Sequence, residues 1–364
     1  MRDVRRKAGA EWGGLDWLVA YSLTALGVWD SLMRRWYFFL NVDVFTARAG
    51  VTDVASTQDA PVSVYGAPSP HGDLSTTGVR GWAARRPLTT FLVIALGASW
   101  LLFVVPVLAY HRVIPGAGLP IEIFALAATL LVLLPAALWV TSVTDGRAGV
   151  RALLGRAIRW RFSVGWWLAV IFGLPVVALI LGLAFGGSIH AAGVGSVLVK
   201  QSLSILLAVV VINLWEETVW AGFFQTRLEY RFPFVVAALL TTLPFAGVHL
   251  PLLLLSDHVT PLSVLKGIVG LVVLGAAVRL LIGVFLRACA DSVLAVGVLH
   301  QVFDACNNRG GLVDSLLDGA DAALMTEIGV VLLTVAAAAV LLWRRGPSVF
   351  ARRRPATAMT SAAN

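Results

Sequence analysis

Apolar positions fall into long blocks from Pro87 onward, at about 89–110, 119–143, 164–186, 201–226, 233–255, 263–286, 289–306 and 325–343. A helix crossing ~30 Å of hydrocarbon needs ~20 residues at 1.5 Å each. Seven of the blocks meet or approach that length and the seventh in order is marginal, so the pattern predicts an all-α, polytopic transmembrane helical bundle of about eight spans. The polar blocks between them alternate in charge. Arg85 and Arg86 precede the first span, and Arg147, Arg151, Arg156, Arg159 and Arg161 separate the second from the third. Arg227 and Arg231 separate the fourth from the fifth, Arg287 follows the sixth, and Arg344, Arg345, Arg352, Arg353 and Arg354 follow the eighth. The other loops are poor in basic residues, and the last of them carries Asp314, Asp318 and Asp321. Because cytoplasmic loops hold the Arg and Lys excess, this alternation predicts that both termini are cytoplasmic. No internal repeat of the kind that marks transporters with inverted halves is visible.

The ends of the chain read differently. Residues 1–86 form an N-terminal extension in which 14–40 is mixed, with Asp16, Asp30, Arg34 and Arg35 interrupting the apolar residues. Trp12, Trp17, Trp29, Trp36 and Tyr37 suit an interfacial helix at the headgroup layer. Residues 46–84, rich in Ala, Thr, Ser, Gly and Pro without periodicity, read as a disordered linker. The bundle occupies 87–345, and 346–364 reads as a disordered cytoplasmic tail. The stretch 146–162 predicts a basic helix on the cytoplasmic membrane surface, anchored by Trp160 and in contact with lipid.

Composition removes the soluble classes. Hydrophobic residues make up 59% of the 364 positions and charged residues 13%, against roughly 45–50% and 25% in a soluble domain. The net charge of +8 raises nucleic acid as a partner, but the arginines sit in short clusters between spans rather than on one face, which fits topology signals and anionic-lipid contact. The expected partner is therefore the lipid bilayer, with no nucleic acid. Cys289 and Cys306 read as small apolar packing residues. The Arg-rich, Lys-poor usage points to a high-GC bacterial genome and hence to the bacterial plasma membrane.

Ionisable side chains inside the spans carry the chemistry, because each costs ~2.5–3.5 kcal/mol or more at the helix centre unless it has a partner or a task. They concentrate at Glu216 and Glu217 in the fourth span, His249 in the fifth, and His300 with Asp304 in the seventh. Counting from the basic ends, Glu216 lies roughly 16 Å, His249 roughly 25 Å and His300 roughly 20 Å along its helix. With tilt, all three meet near the middle of the membrane. His300 and Asp304 are four apart and share a helix face, as do Phe245 and His249. Asp304 is placed either to accept a proton from His300 and fix its tautomer or to act as a ligand. Glu216 and Glu217 diverge by about 100°, so one of them faces the site directly. Arg279, in the sixth span, either snorkels to the cytoplasm or pairs within the bundle. Carboxylates beside imidazoles suit hydrolysis: a carboxylate takes a proton from water, and the imidazoles hold a metal or donate to an oxyanion.

At these residues the chain resembles the CAAX-protease and bacteriocin-processing (CPBP, or Abi) family of intramembrane proteases. Its E-E-x-x-x-R motif corresponds to Glu216 and Glu217, its F-x-x-x-H motif to Phe245 and His249, and its H-x-x-x-N/D motif to His300 and Asp304, in family order on separate spans. The resemblance implies an intramembrane metalloendopeptidase over 87–345 that acts on a membrane-associated peptide or protein. Glu216 would activate water, His249 and His300 would bind metal or stabilise the oxyanion, Asp304 would assist, and Glu217 would support. It also implies Zn2+ held by His249, His300 and Glu216. One position departs from the motif, since Ala221 stands where the family has Arg. That departure supports a second reading, a catalytically inactive scaffold or bacteriocin-immunity-type binding protein on the same fold. A third, a proton-coupled transporter using the same residues as a relay, is opposed by the lack of repeats.

Overall fold

The computed structural model describes residues 78–353, apart from 117, 191 and 192. The interfacial helix expected over 14–40, most of the linker and the end of the tail lie outside the described residues. The chain runs through α1 (Gly78–Arg85), α2 (Pro87–Tyr110), α3 (Ile121–Ala157), α4 (Val164–Ala184), α5 (Val194–Glu229), α6 (Phe234–Leu254), α7 (Pro261–Ala288), α8 (Val293–Asn307) and α9 (Ala322–Arg345). Helix α1 covers the last part of the stretch read as linker, so residues 78–84 are helical where composition suggests a linker. Among the described residues, seven helices are long and apolar enough to cross a membrane, and the fold is all-α apart from one pair of two-residue strands. Helices satisfy every backbone group internally, which is what a hydrocarbon environment requires.

The marginal seventh span is α8, with 15 residues, about 22 Å against the ~30 Å of hydrocarbon. Its shortness is accommodated by its position, since it packs against α4, α5, α7 and α9 and is mostly buried, where the other spans expose many apolar side chains. Ser292 caps its start by accepting from the Ala295 amide at 3.1 Å. Gly297 lets its backbone meet α5: a Cβ there would stand 3.0 Å from the Leu214 Cα and 3.4 Å from the Asn213 carbonyl oxygen. Three and seven residues on, His300 and Asp304 share that face.

Two helices break regularity where the sequence changes character. In α3, Gly146 (φ 64°) separates the apolar span from the basic stretch 147–157, a conformation open to glycine without a Cβ clash. In α5, π-helical turns at Val209–Asn213 and Thr218–Gln225 flank the α-helical turn Leu214–Glu217. Such widened turns re-aim side chains and concentrate at functional sites.

Contacts at the two ends of the bundle agree with the alternation of charge. The loops after α4 and α8 pair as antiparallel strands β1 (Ser188–Ile189) and β2 (Leu317–Asp318), with Ser188 opposite Asp318, so these two acidic or neutral loops share one side. At the opposite end the basic segments gather. The chain after α9 does not run free there: Pro347–Phe350 forms a 3-10 turn, the Arg287 side chain donates to the Val349 carbonyl at 2.8 Å, and Arg353 bonds both Asp291 and Glu229. The tail read as disordered is thus packed as far as Arg353, because Arg353 finds Glu229 at the end of α5 and Asp291 in the turn after α7.

Candidate active site

Glu217 ends the short α-helical turn of α5 and is fully buried, as is Arg279 of α7. The guanidinium grips the carboxylate with both forks: Nη1 donates to Oε2 at 2.9 Å and Nη2 to Oε1. Its Cζ stands 4.5 Å from the centroid of the Phe245 ring. Arginine suits this place because its planar fork matches a carboxylate and its face stacks on an aromatic ring. Arg279 therefore pairs within the bundle and does not snorkel.

The same carboxylate orients the buried His300. Nδ1 of His300 lies 2.8 Å from Glu217 Oε1, a close contact though off the line of a straight hydrogen bond. A carboxylate at that distance places the ring proton on Nδ1 and turns Nε2 the other way. Nε2 faces Asp304, whose Oδ1 is 3.9 Å away, beyond direct hydrogen bonding. Of the two roles open to Asp304, orienting His300 thus falls instead to Glu217. Asp304 Oδ2 accepts from the Asn213 side-chain amide at 3.0 Å. A polar chain Arg279–Glu217–His300, continued at a wider gap by Asp304–Asn213, joins α7, α5 and α8.

His249 approaches from α6. Its Nδ1 donates to its own helix at the Phe245 carbonyl, 2.7 Å away, which leaves Nε2 available. The Phe245 ring stands between the two imidazoles, 4.9 Å from His249 and 6.1 Å from His300 by ring centroids, and Trp220 packs edge-on against it at 5.8 Å. The motif phenylalanine is thus the apolar hub of the site. Glu216 is half-buried, and its carboxylate has no hydrogen-bond or ion-pair partner among the described residues. Glu217, Phe245, His249, His300 and Asp304 are joined by these contacts, while Glu216 adjoins them by sequence and makes no hydrogen bond or ion pair with His249 or His300.

Asn213 was not singled out by sequence reasoning, although it lies four residues before Glu217 on the same face and is buried. Arg279 was singled out without a partner, because nothing in one helix says which neighbour faces it. Ala221, four residues after Glu217, is fully buried in the core, and a cation reaches Glu217 from α7 instead. Among the described residues no three His, Cys, Asp or Glu side chains converge closely enough to hold a metal ion. The zinc set of His249, His300 and Glu216 therefore does not fit the arrangement described here.

Residues 198–306, which include all five candidate residues, match the family model described as type II CAAX prenyl endopeptidase, Rce1-like. This agrees with the CPBP resemblance. No curated protein matches the chain.

Proposed function

We propose that this chain, an Rce1-like type II CAAX prenyl endopeptidase family member over residues 198–306, is an intramembrane endopeptidase that hydrolyses a peptide bond of a membrane-associated peptide or protein. The observation that carries this reading is the division of labour between adjacent glutamates. Glu217 is consumed by Arg279 and His300, whereas Glu216 is uncommitted and half-buried. Glu216 takes a proton from water as that water attacks the carbonyl carbon, and delivers it to the amine as the C–N bond breaks. His249 and His300, when protonated at Nε2, donate to the oxyanion of the tetrahedral intermediate. Glu217 holds the His300 ring in place, and Asp304, fixed by Asn213, supplies an acceptor on the far side of Nε2. Zinc enters none of these steps, since the donors do not converge.

On this reading the bundle belongs to the bacterial plasma membrane, with the basic loops, both termini and the packed tail on the cytoplasmic side. Ala221 favours the second reading, an inactive binding scaffold, because the motif cation is missing from its usual position. Arg279 weakens that argument by bringing a cation to the same carboxylate.

The test is cleavage of a fluorogenic membrane-peptide library, with prenylated members, by the purified chain in detergent. Wild type is compared with Glu216→Ala and His300→Ala, each with chelator and with added zinc. Wild-type cleavage lost in both variants supports the protease. Absence of wild-type cleavage, or cleavage indifferent to both substitutions, overturns it in favour of the scaffold. Chelator-sensitive, zinc-restored cleavage would replace the metal-free steps with a metal-dependent mechanism.

A further inference from the structure

A cavity of about 440 Å³ opens at the cytoplasmic end of the bundle, lined by Ala152, Gly155, Arg156 and Arg159 of the basic segment, Thr226 and Tyr230 at the end of α5, Asp291 and Arg353. Its volume lies in the ~300–1,000 Å³ range of small-molecule sites. It is separate from the candidate active site: none of its lining residues belongs to the polar chain around Glu217.

The lining holds three guanidinium groups and one carboxylate. Arg353 and Asp291 neutralise each other through two hydrogen bonds of 2.8 and 2.6 Å. Arg156, nearly fully buried, spends its donors on neutral acceptors: the Gly222 carbonyl at 2.9 Å, the Asp291 carbonyl at 3.2 Å and the Thr226 hydroxyl at 3.2 Å. Arg159 gives Nη1 to the Ala290 carbonyl at 2.6 Å. Carbonyl and hydroxyl partners satisfy hydrogen bonds without cancelling charge, so two positive charges remain over. Behind the cavity, Arg287 is paired with Glu229 at 2.7 Å and adds no excess.

The depth of the cavity identifies the kind of anion. It lies beside the ends of α5 and α7, next to Ile158 and Trp160, which are 72% and 60% exposed on the basic segment. Exposed Ile and Trp beside arginines mark the level where acyl chains meet headgroups. Phosphate is the anion present there at high density, and arginine donors arranged at a rim suit its oxygens.

The geometry points to a phosphate-binding site between the basic segment, α5 and the packed tail, whose ligand is the phosphate of an anionic phospholipid headgroup. Soluble phosphate shares the chemistry, and the arms of the experiment separate the two sources. Gly155 provides a clean probe, because a Cβ there meets nothing within 4 Å. Gly155→Leu adds an apolar side chain at the cavity wall, starting from a Cβ position without contacts, and the substitution favours helix.

The experiment is native mass spectrometry of the full chain, released from detergent containing phosphatidylglycerol, phosphatidylcholine, or phosphatidylglycerol plus inorganic phosphate. Size exclusion of each variant serves as the folding control. Wild type should retain phosphatidylglycerol in preference to phosphatidylcholine, Gly155→Leu should abolish that preference, and Arg159→Gln should weaken it about fivefold, one surface arginine's worth. Competition by inorganic phosphate would keep the site and change the ligand's source from lipid to water. Equal retention of both lipids by wild type, or an undiminished preference in Gly155→Leu, overturns the proposal. Should Gly155→Leu misfold, Ala152→Leu and Arg159→Gln decide by the same readout. Retention is measured without substrate, so its failure leaves the protease reading untouched.

Discussion

Arg279 on α7 holds both carboxylate oxygens of Glu217 on α5, and neither side chain has any exposure. The pair ties together two helices separated in sequence by α6, and Glu217 passes the constraint on to His300. A buried charge pair of this kind contributes little against apolar packing, yet removing one member strands the other in low dielectric.

Arg279→Gln should therefore destabilise the bundle by about 3–5 kcal/mol. Arg279→Lys, which keeps the charge and loses the fork, should recover part of that stability but less of the activity. Thermal melts alongside cleavage rates check this. Equal behaviour of the two variants in both measurements would contradict a geometric role for the guanidinium.

Glu216→Gln and Glu217→Gln should separate cleanly although they are adjacent. Loss of a general base lowers turnover by about 10²–10⁴, so Glu216→Gln should abolish cleavage while leaving the melting temperature near wild type. Glu217→Gln should lower the melting temperature, because Arg279 loses its counter-charge. If Glu217→Gln is the stable, inactive variant, the assigned roles are reversed.

Gly297→Val should reduce activity without touching any polar group of the site. The nearest obstacle to a side chain there is α5 backbone, at 3.0 Å, which cannot rotate away as a side-chain tip can. The helix carrying His300 and Asp304 must then move off Asn213 and Glu217. Turnover should fall with Gly297→Ala and further with Gly297→Val, and a flat response across Gly, Ala and Val would contradict the close approach.

The tail should release in acid. Burial pushes the Asp291 carboxyl up, but the hydrogen bonds and charge of Arg353 outweigh this and hold it at about 2, below its ordinary 3.8. A carboxyl depressed by folding stabilises fully above its unfolded value and loses that contribution as pH falls through its folded one. Docking of 347–353 should thus persist from neutral pH to about 4 and fail towards about 2. A spin label at exposed Ala351 reports it, and Asp291→Asn should mobilise the label already at pH 7. Asparagine tolerates the left-handed backbone at this position (φ 61°), which leaves the lost charge as the cause.

The sequence by itself determined the all-α membrane bundle and the approximate positions of its spans, because those follow from hydrocarbon thickness, which acts locally along the chain. It also singled out Glu216, Glu217, His249, His300 and Asp304, since ionisable groups in apolar runs are conspicuous without any structure. Tertiary structure alone decided that Arg279 serves Glu217, that Glu217 rather than Asp304 orients His300, that Asn213 joins the site, and that the tail packs as far as Arg353. Each of these depends on which faces of non-adjacent helices meet, and that is set by close packing at positions such as Gly297, where the absence of one side chain lets two backbones approach.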